Sequence, residues 1–327
     1  MIKDQFDRTH DYLRISLTDK CNLRCEYCTA EYLPTGKSTN SKYMSAAEIE
    51  SIAAVFIKNG VNKIRLTGGE PLVRKDAKEI IEKLSKYPIK LTITTNGVFV
   101  NDFIETFKNA GINSVNVSLD SLVKEQFLSI TKRDEFDKVM RNIDLLLANN
   151  FHVKINVVAI KNFNDNEILN FIEWTKDKPL HIRFIEFMPF SGNEWSKDKV
   201  FTHEQILEVI SSKYNFIKLI NEKNDTAKKY FIPNYKGTFA VISTMSEPFC
   251  SGCNRMRLTA EGKMYNCLFG KQETDILGAF RAGKDIEPLI HQSVFSKKEM
   301  LGGNNENKNW GKENTETREI SMIGLGG

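Results

Sequence analysis

The chain has 327 residues, 41% of them hydrophobic, and a net charge of +4. That length suits one large domain or two smaller ones at roughly 150 residues each. The absence of any run of about 18 apolar residues excludes a transmembrane helix. Without a dense Lys/Arg tract, the mild basicity argues against a nucleic-acid surface and suits a small anionic substrate. The opening MIKDQFDRTH is charged and lacks an apolar signal region, so a cytoplasmic location and no membrane partner are expected.

Residues 12–18 (YLRISLT) read as a strand running into Cys21, Cys25 and Cys28. Helix is predicted over 45–59, strand over 63–67 (KIRLT) ending in Gly68-Gly69, and helix over 75–87. Strand follows over 90–95 (KLTITT), helix over 101–109, and strand over 114–119 (SVNVSL). Helix over 134–149, strand over 152–160, helix over 164–176 and strand over 181–188 complete the series. Strands rich in β-branched residues, alternating with helices, predict a parallel sheet. The expected fold is α/β, a partial (βα)6 TIM-like barrel with its chemistry beyond the strand ends. After about residue 191 the rhythm changes to a helix over 203–213 and short strand-like pieces at 216–220 and 238–243. This is a C-terminal α+β extension carrying a second cysteine group. The expected domains are 1–190, 191–300, and a polar tail over 301–327 that is expected to be mobile and ends in Gly326-Gly327.

The six cysteines fall into two groups of three: Cys21, Cys25, Cys28, and Cys250, Cys253, Cys267. A reducing compartment disfavours disulfides, which leaves metal or redox use. The CxxxCxxC loop can hold three irons of a [4Fe–4S] cluster and leave the fourth iron open to a small molecule. A structural zinc site would want four protein ligands, and His10 is the only extra candidate nearby. The second group again supplies three ligands, enough for a second [4Fe–4S] cluster with an open iron. A disulfide or redox CxxC would leave Cys267 idle, and a zinc ribbon would need a fourth ligand. Gly68-Gly69-Glu70-Pro71 after a strand allows close backbone approach by a ligand. Arg14, Arg65, Arg183, Arg255 and Arg257 offer planar forks suited to phosphate oxygens, and Lys154 adds another cation.

The CxxxCxxC loop followed by Gly68-Gly69-Glu70-Pro71 resembles the radical S-adenosylmethionine enzymes. With Cys250, Cys253-Asn-Arg255-Met256-Arg257 and Cys267 added, the chain resembles the GTP 3′,8-cyclase family of molybdenum cofactor biosynthesis, from about Arg14 to Cys267 and again at the terminal Gly-Gly. The resemblance implies two [4Fe–4S] clusters and S-adenosylmethionine as cofactors. It implies that Tyr27, Gly69, Ser118 and Met188 contact S-adenosylmethionine, with Tyr27 beside adenine. It further implies that Arg14, Arg65, Thr94, Lys154, Arg255, Met256 and Arg257 contact GTP, with Arg183 a weaker candidate. A radical would take the 3′ hydrogen of GTP, and the C3′ radical would attack guanine C8. The implied partners are GTP, an electron donor and the next-step cyclic pyranopterin monophosphate synthase; a homodimer is allowed. The rival readings are a radical S-adenosylmethionine enzyme that matures a peptide, and a zinc-stabilised binding module.

Overall fold

The computed structural model describes residues 1–28, 42–303 and 322–325. Of the expected tail over 301–327, residues 304–321 and the terminal Gly-Gly lie outside the described residues.

Six strands alternate with helices through the first part of the chain. They are β1 (Tyr12–Ser16), α1 (Ala46–Lys58), β2 (Lys63–Thr67), α2 (Ala77–Ser85), β3 (Lys90–Thr95), α3 (Ile104–Asn109) and β4 (Ser114–Ser118). Then come α4 (Lys124–Thr131), α5 (Phe136–Ala148), β5 (His152–Ala159), α6 (Ile168–Trp174) and β6 (His181–Glu186). The extension adds α7 (His203–Ser211), β7 (Ile217–Lys218), β8 (Lys228–Phe231), β9 (Thr238–Ile242), β10 (Arg255–Leu258) and β11 (Lys263–Tyr265). It closes with β12 (Thr274–Asp275), α8 (Ile276–Arg281), α9 (Glu287–Phe295) and α10 (Met322–Leu325). Among the described residues, no helix is long and apolar enough to cross a membrane.

Among the described residues, twelve strands form one sheet, in the order β12-β11-β10-β1-β2-β3-β4-β5-β6-β9-β8-β7. The six expected strands are mutually parallel, and the extension adds a parallel strand at each flank, β10 beside β1 and β9 beside β6. The remaining strands pair antiparallel at the two edges. The segment that breaks the βα rhythm therefore continues the same sheet on both sides.

The strands alternate as a half-polar sheet does. Leu13, Ile15, Ile64, Ile93, Val117 and Ile155 are fully or almost fully buried under the helices. Their neighbours Tyr12, Arg14, Lys63, Arg65, Asn116 and Lys154 point to the other face. In a flat sheet β1 and β6 would stand about 24 Å apart at ~4.8 Å per strand. Yet Arg183 on β6 is held below its ordinary pKa in part by the charges of Arg65 on β2 and Arg14 on β1. Side chains from beyond β6 (Met188, Phe190) also pack with Tyr265 of β11 and with Phe269 in one apolar cluster. The sheet is curled, its polar face enclosing a lumen and this second cluster spanning the open side.

Local chemistry sets the helix starts. Ser45 and Glu48 form a reciprocal capping box at α1, at 3.2 and 2.7 Å, and Thr202 with Gln205 repeats it at α7. Two kinds of element depart from the sequence expectations. Helix α4 is short, and its buried Phe127 and Ile130 give too brief a period to separate it from α5. Strand β10 reads RMRL, and its alternating arginines mark a lumen-facing strand that the sequence reading did not assign. Replacing Ile155 by Ala, at a fully buried position of β5, is expected to cost about 2–5 kcal/mol of stability. Urea denaturation of the metal-free chain measures it.

Candidate active site

The first cysteine triplet lies on the loop beyond the C-terminal end of β1. Burial pushes all three thiols up: Cys21 above its ordinary value, Cys28 to about 12, and Cys25 well above the usual range. The neighbouring thiols and the Asp120 carboxylate add to the shifts of Cys25 and Cys28. The three sulfurs therefore share one small region, and a metal binding there must displace their protons. No group of three or more His, Cys, Asp or Glu among the described residues gathers tightly enough for a single metal ion. A cluster asks for a wider spread, each thiolate on its own iron. Beside Cys21, the buried Nδ2 of Asn22 has no hydrogen-bond partner among the described residues. Three thiols on one loop and an unsatisfied donor beside them fit a [4Fe–4S] cluster.

Gly68 and Gly69 are required by the loop they press against. A Cβ on Gly68, at φ +153°, would meet the Thr18 carbonyl at 2.6 Å, and one on Gly69 would meet the Lys20 carbonyl at 2.4 Å. Gly69 N–H donates to Thr18 O at 2.7 Å and Glu70 N–H to Lys20 O at 2.8 Å. These bonds hold the cysteine loop. An ammonium is itself a donor, so the motif would meet one only with carbonyl oxygens.

Sequence reasoning missed the residues that brace this loop. Glu70 is fully buried, and its carboxylate accepts from Leu72 N–H at 3.0 Å, Thr95 Oγ1 at 2.8 Å and Asn96 N–H at 2.6 Å. Burial nevertheless pushes it up to about 7. Asn96, held in this way, donates from Nδ2 to Asn22 Oδ1 at 2.8 Å and reaches Cys21 Sγ at 3.7 Å. Tyr27 donates its hydroxyl to Asp120, whose other oxygen accepts from Val158 N–H at 2.7 Å. Burial raises Asp120 to about 6. Tyr27 thus ties the cysteine loop to the ends of β4 and β5. Ser118 ends β4 in register with Asn156, and Met188 follows β6 at the edge of the second apolar cluster.

Inside the barrel the register aligns cations across strands. Arg14 stands opposite Arg65 on one side and Arg257 on the other. Tyr12 stands between Lys63 and Arg255, and Asn156 beside Arg183. Arg65 donates to the Tyr12 hydroxyl at 2.6 Å, to Ile93 O at 3.1 Å and to Thr94 Oγ1 at 3.3 Å. Arg183 Nε donates to Asn156 Oδ1 at 2.9 Å. Burial and mutual repulsion lower Arg14 to about 10, Arg183 to about 9 and Lys154 to about 7. Burial alone would raise the Tyr12 phenol, but Arg65, Arg14 and Lys63 outweigh it and bring it to about 6. The Lys63 ammonium lies 4.3 Å from the Tyr12 ring centroid. Asn116 Oδ1 and Ser114 Oγ, on the same lumen-facing register of β4, are buried without hydrogen-bond partners among the described residues. The lumen is thus lined by cations, with no carboxylate among these residues. Tyr12 and Lys63 carried a signal the sequence reading passed over, the same period-two alternation that marks Arg14 and Arg65.

The second triplet sits at the other end of these strands. Cys253 precedes β10, which runs parallel to β1, whereas Cys21 follows β1. The two triplets therefore bracket the paired strands. Cys250 Sγ accepts from Leu301 N–H at 3.4 Å; Cys253 Sγ accepts from Lys297 Nζ at 3.3 Å and meets Arg255 Nη2 at 3.7 Å. Against a burial effect that would raise it, these two cations pull Cys253 down to about 6. Cys250 and Cys267 pack against the second apolar cluster, which also holds Leu325 of α10. Met256 is fully buried on the opposite face of β10 from its flanking arginines. Its side chain lies in the main core, outside the lumen, so the contact expected from sequence would fall to its backbone. The Arg257 Nη1 lies 3.5 Å from the Leu325 carbonyl.

The chain matches the Radical SAM superfamily over residues 15–175 and Molybdenum Cofactor Synthesis C over residues 180–302. It is 42% identical over 313 residues to molybdenum cofactor biosynthesis protein 1 of Dictyostelium discoideum, covering 93% of this chain and 50% of that protein. The chain thus spans about half the length of the first curated relatives it matches. It is 39% identical over 328 residues to the GTP 3′,8-cyclase of Syntrophomonas wolfei, covering 98% of this chain and 99% of that protein. A crystal structure of Streptococcus suis SuiB is similar in fold, with a TM-score of 0.62 and 16% identity over 90% of this chain and 67% of that one.

Glu70→Gln would set an amide NH2 among three donors. The expected loss is about 1–3 kcal/mol of stability, read by urea denaturation of the metal-free chain. An unchanged midpoint would mean that the carboxylate does not brace the cysteine loop.

Proposed function

The chain belongs to the GTP 3′,8-cyclase family, a radical S-adenosylmethionine family, and from that premise we propose that it converts GTP to (8S)-3′,8-cyclo-7,8-dihydroguanosine 5′-triphosphate, the first step towards molybdenum cofactor. The observation that carries this reading is the cation-lined lumen bracketed by two cysteine triplets. Cys21, Cys25 and Cys28 would hold one [4Fe–4S] cluster, and Cys250, Cys253 and Cys267 a second. Cys21, Cys25 and Cys28 would thereby place beside the lumen a group whose chemistry is the one-electron reductive cleavage of S-adenosylmethionine. We assign residues 1–190 to radical generation, and 191–300 to the second cluster and part of the nucleotide site.

The protein's own task is placement. Arg14, Arg65, Lys154, Arg183 and Arg257 bring positive charge into one enclosed space, which suits a triphosphate far better than a neutral ligand. Their mutual repulsion is the cost of an empty site, and an anion relieves it. Thr94, already oriented by Arg65, would sit beside the sugar. Arg255, next to Cys253, would sit where the base meets the second cluster. The braced rim formed by Glu70, Asn96, Tyr27 and Asp120 fixes the cysteine loop relative to the lumen, so that the reacting carbons meet in one geometry. Gly69, Ser118 and Met188 line the approach for S-adenosylmethionine. An electron donor and the cyclic pyranopterin monophosphate synthase that consumes the product follow as partners, in a cytoplasmic setting.

A peptide-maturing activity is the second reading, since the fold also matches SuiB, one structure of which is bound to precursor peptide SuiA. A likeness at 16% identity carries the fold alone, and a peptide gives no reason for the crowded cations.

The direct experiment is anaerobic incubation with GTP, S-adenosylmethionine and reductant, followed by mass spectrometry of the products. The cyclised nucleotide and 5′-deoxyadenosine are expected from the native chain, and neither from Cys25→Ala. If native protein makes 5′-deoxyadenosine but GTP is recovered intact, the substrate is wrong.

A pH effect follows from Lys154, whose pKa is lowered from 10.5 to about 7. A lowered pKa leaves much of this amine neutral just above pH 7, whereas a phosphate beside it favours the charged ammonium. Binding at about pH 8 should therefore draw in a proton, and GTP affinity should fall as pH rises through the lowered pKa. Calorimetric titrations in buffers of differing ionisation enthalpy should show net uptake, lost in Lys154→Arg. Zero uptake by the native chain would remove Lys154 from the phosphate site.

A further inference from the structure

Lys297 follows α9 in a polar stretch, and nothing in the sequence marks it. In the fold it is 2% exposed. Its ammonium donates to Cys253 Sγ at 3.3 Å and to the Arg255 carbonyl at 3.1 Å. Among the described residues, no carboxylate lies within ion-pair distance of it. An ammonium buried without an anion is costly, so the sulfur of Cys253 is the group that answers its charge.

The backbone around Lys297 is fixed from the opposite end of the chain. Gln5 Nε2 donates to Lys297 O at 3.0 Å. Arg8 donates to Lys298 O at 3.0 Å, to Glu299 O at 2.7 Å and to Cys250 O at 2.8 Å. Arg8 is itself held by Asp4 at 2.6 Å, and Asp4 also meets His10 at 3.0 Å. One clasp thus locks the Lys297 segment to the loop that carries Cys250, and the charge of Asp4 is spent on Arg8 and His10.

We propose that Lys297 is a positioning residue for the second cysteine triplet, the fixed counter-charge that holds Cys253 as a ligand and raises the reduction potential of the cluster the triplet carries. The proposal rests on the reading that this triplet binds a [4Fe–4S] cluster. Net charge and hydrogen bonds to the sulfurs are what set such potentials. An added electron makes the cluster more negative, so a cation against one ligand sulfur favours the reduced form.

The test uses the full chain with Cys21, Cys25 and Cys28 replaced by Ala, so that only the second triplet can hold iron. Into it go Lys297→Met, which keeps the volume and removes the charge, and Lys297→Arg, which keeps the charge. After anaerobic reconstitution, iron is counted and the midpoint is read by a redox titration followed by electron paramagnetic resonance. The parent should hold about four irons. Lys297→Met should shift the reduction equilibrium at least tenfold towards the oxidised form, about 59 mV for one electron, while Lys297→Arg stays close to the parent. Loss of iron in Lys297→Met with retention in Lys297→Arg supports the same role. An unchanged midpoint in Lys297→Met overturns this proposal alone, and so does loss of iron in both variants, because charge would then not be what matters. A parent chain that binds no iron overturns the second-cluster reading and this proposal with it.

Discussion

Like charge gathered in one enclosed space is the constraint on which the rest of this molecule depends. Burial and neighbouring cations, Arg65 among them, lower the pKa values of Arg14, Lys154 and Arg183, because the curled sheet brings β1 and β2 to face β5 and β6. The protein offsets part of this from within. Tyr12 accepts from Arg65 and is itself pulled towards phenolate, and Asn156 accepts from Arg183. These are partial answers to a field that a polyanion would answer in full. The apolar face of the same strands, packed under the helices, provides the stability that lets the polar face remain so unfavourable.

A second device recurs along the C-terminal rim. Glu70, Glu167 and Glu186 are buried carboxylates, each accepting from hydroxyls and backbone N–H groups of adjoining loops. Glu167 takes Ser121 Oγ at 2.7 Å and Leu122 N–H at 2.7 Å. Glu186 takes His203 N–H at 2.9 Å, Met245 N–H at 2.7 Å and Ser246 N–H at 2.9 Å. Loops would otherwise be the most mobile part of a βα fold. Stapling them by buried acceptors turns the rim into a rigid platform, which radical chemistry needs if the reacting carbon is to meet one hydrogen only.

The two cysteine triplets differ in the charges beside them. Burial, neighbouring thiols and Asp120 resist negative charge on Cys25 and Cys28, whereas Arg255 and Lys297 outweigh burial at Cys253; Cys250, in the same triplet, is still raised by burial. The same ligand count is thus set in two different fields.

The sequence by itself determined the parts whose causes are local. The spacing of Cys21, Cys25 and Cys28, the β-branched strands from Tyr12 to Glu186 and the Ser45 start of α1 all rest on neighbours in the chain. So does the alternation that sends Arg14 and Arg65 to one face. Tertiary structure alone decided what depends on partners far away. That β10 lies beside β1, setting Arg257 against Arg14, follows from sheet pairing across some 240 residues of chain. Asn96 reaches Cys21, and Lys297 reaches Cys253 under a clasp from Arg8. A polar side chain's role is fixed by which donor or acceptor it meets when water is removed, and no local pattern encodes that meeting.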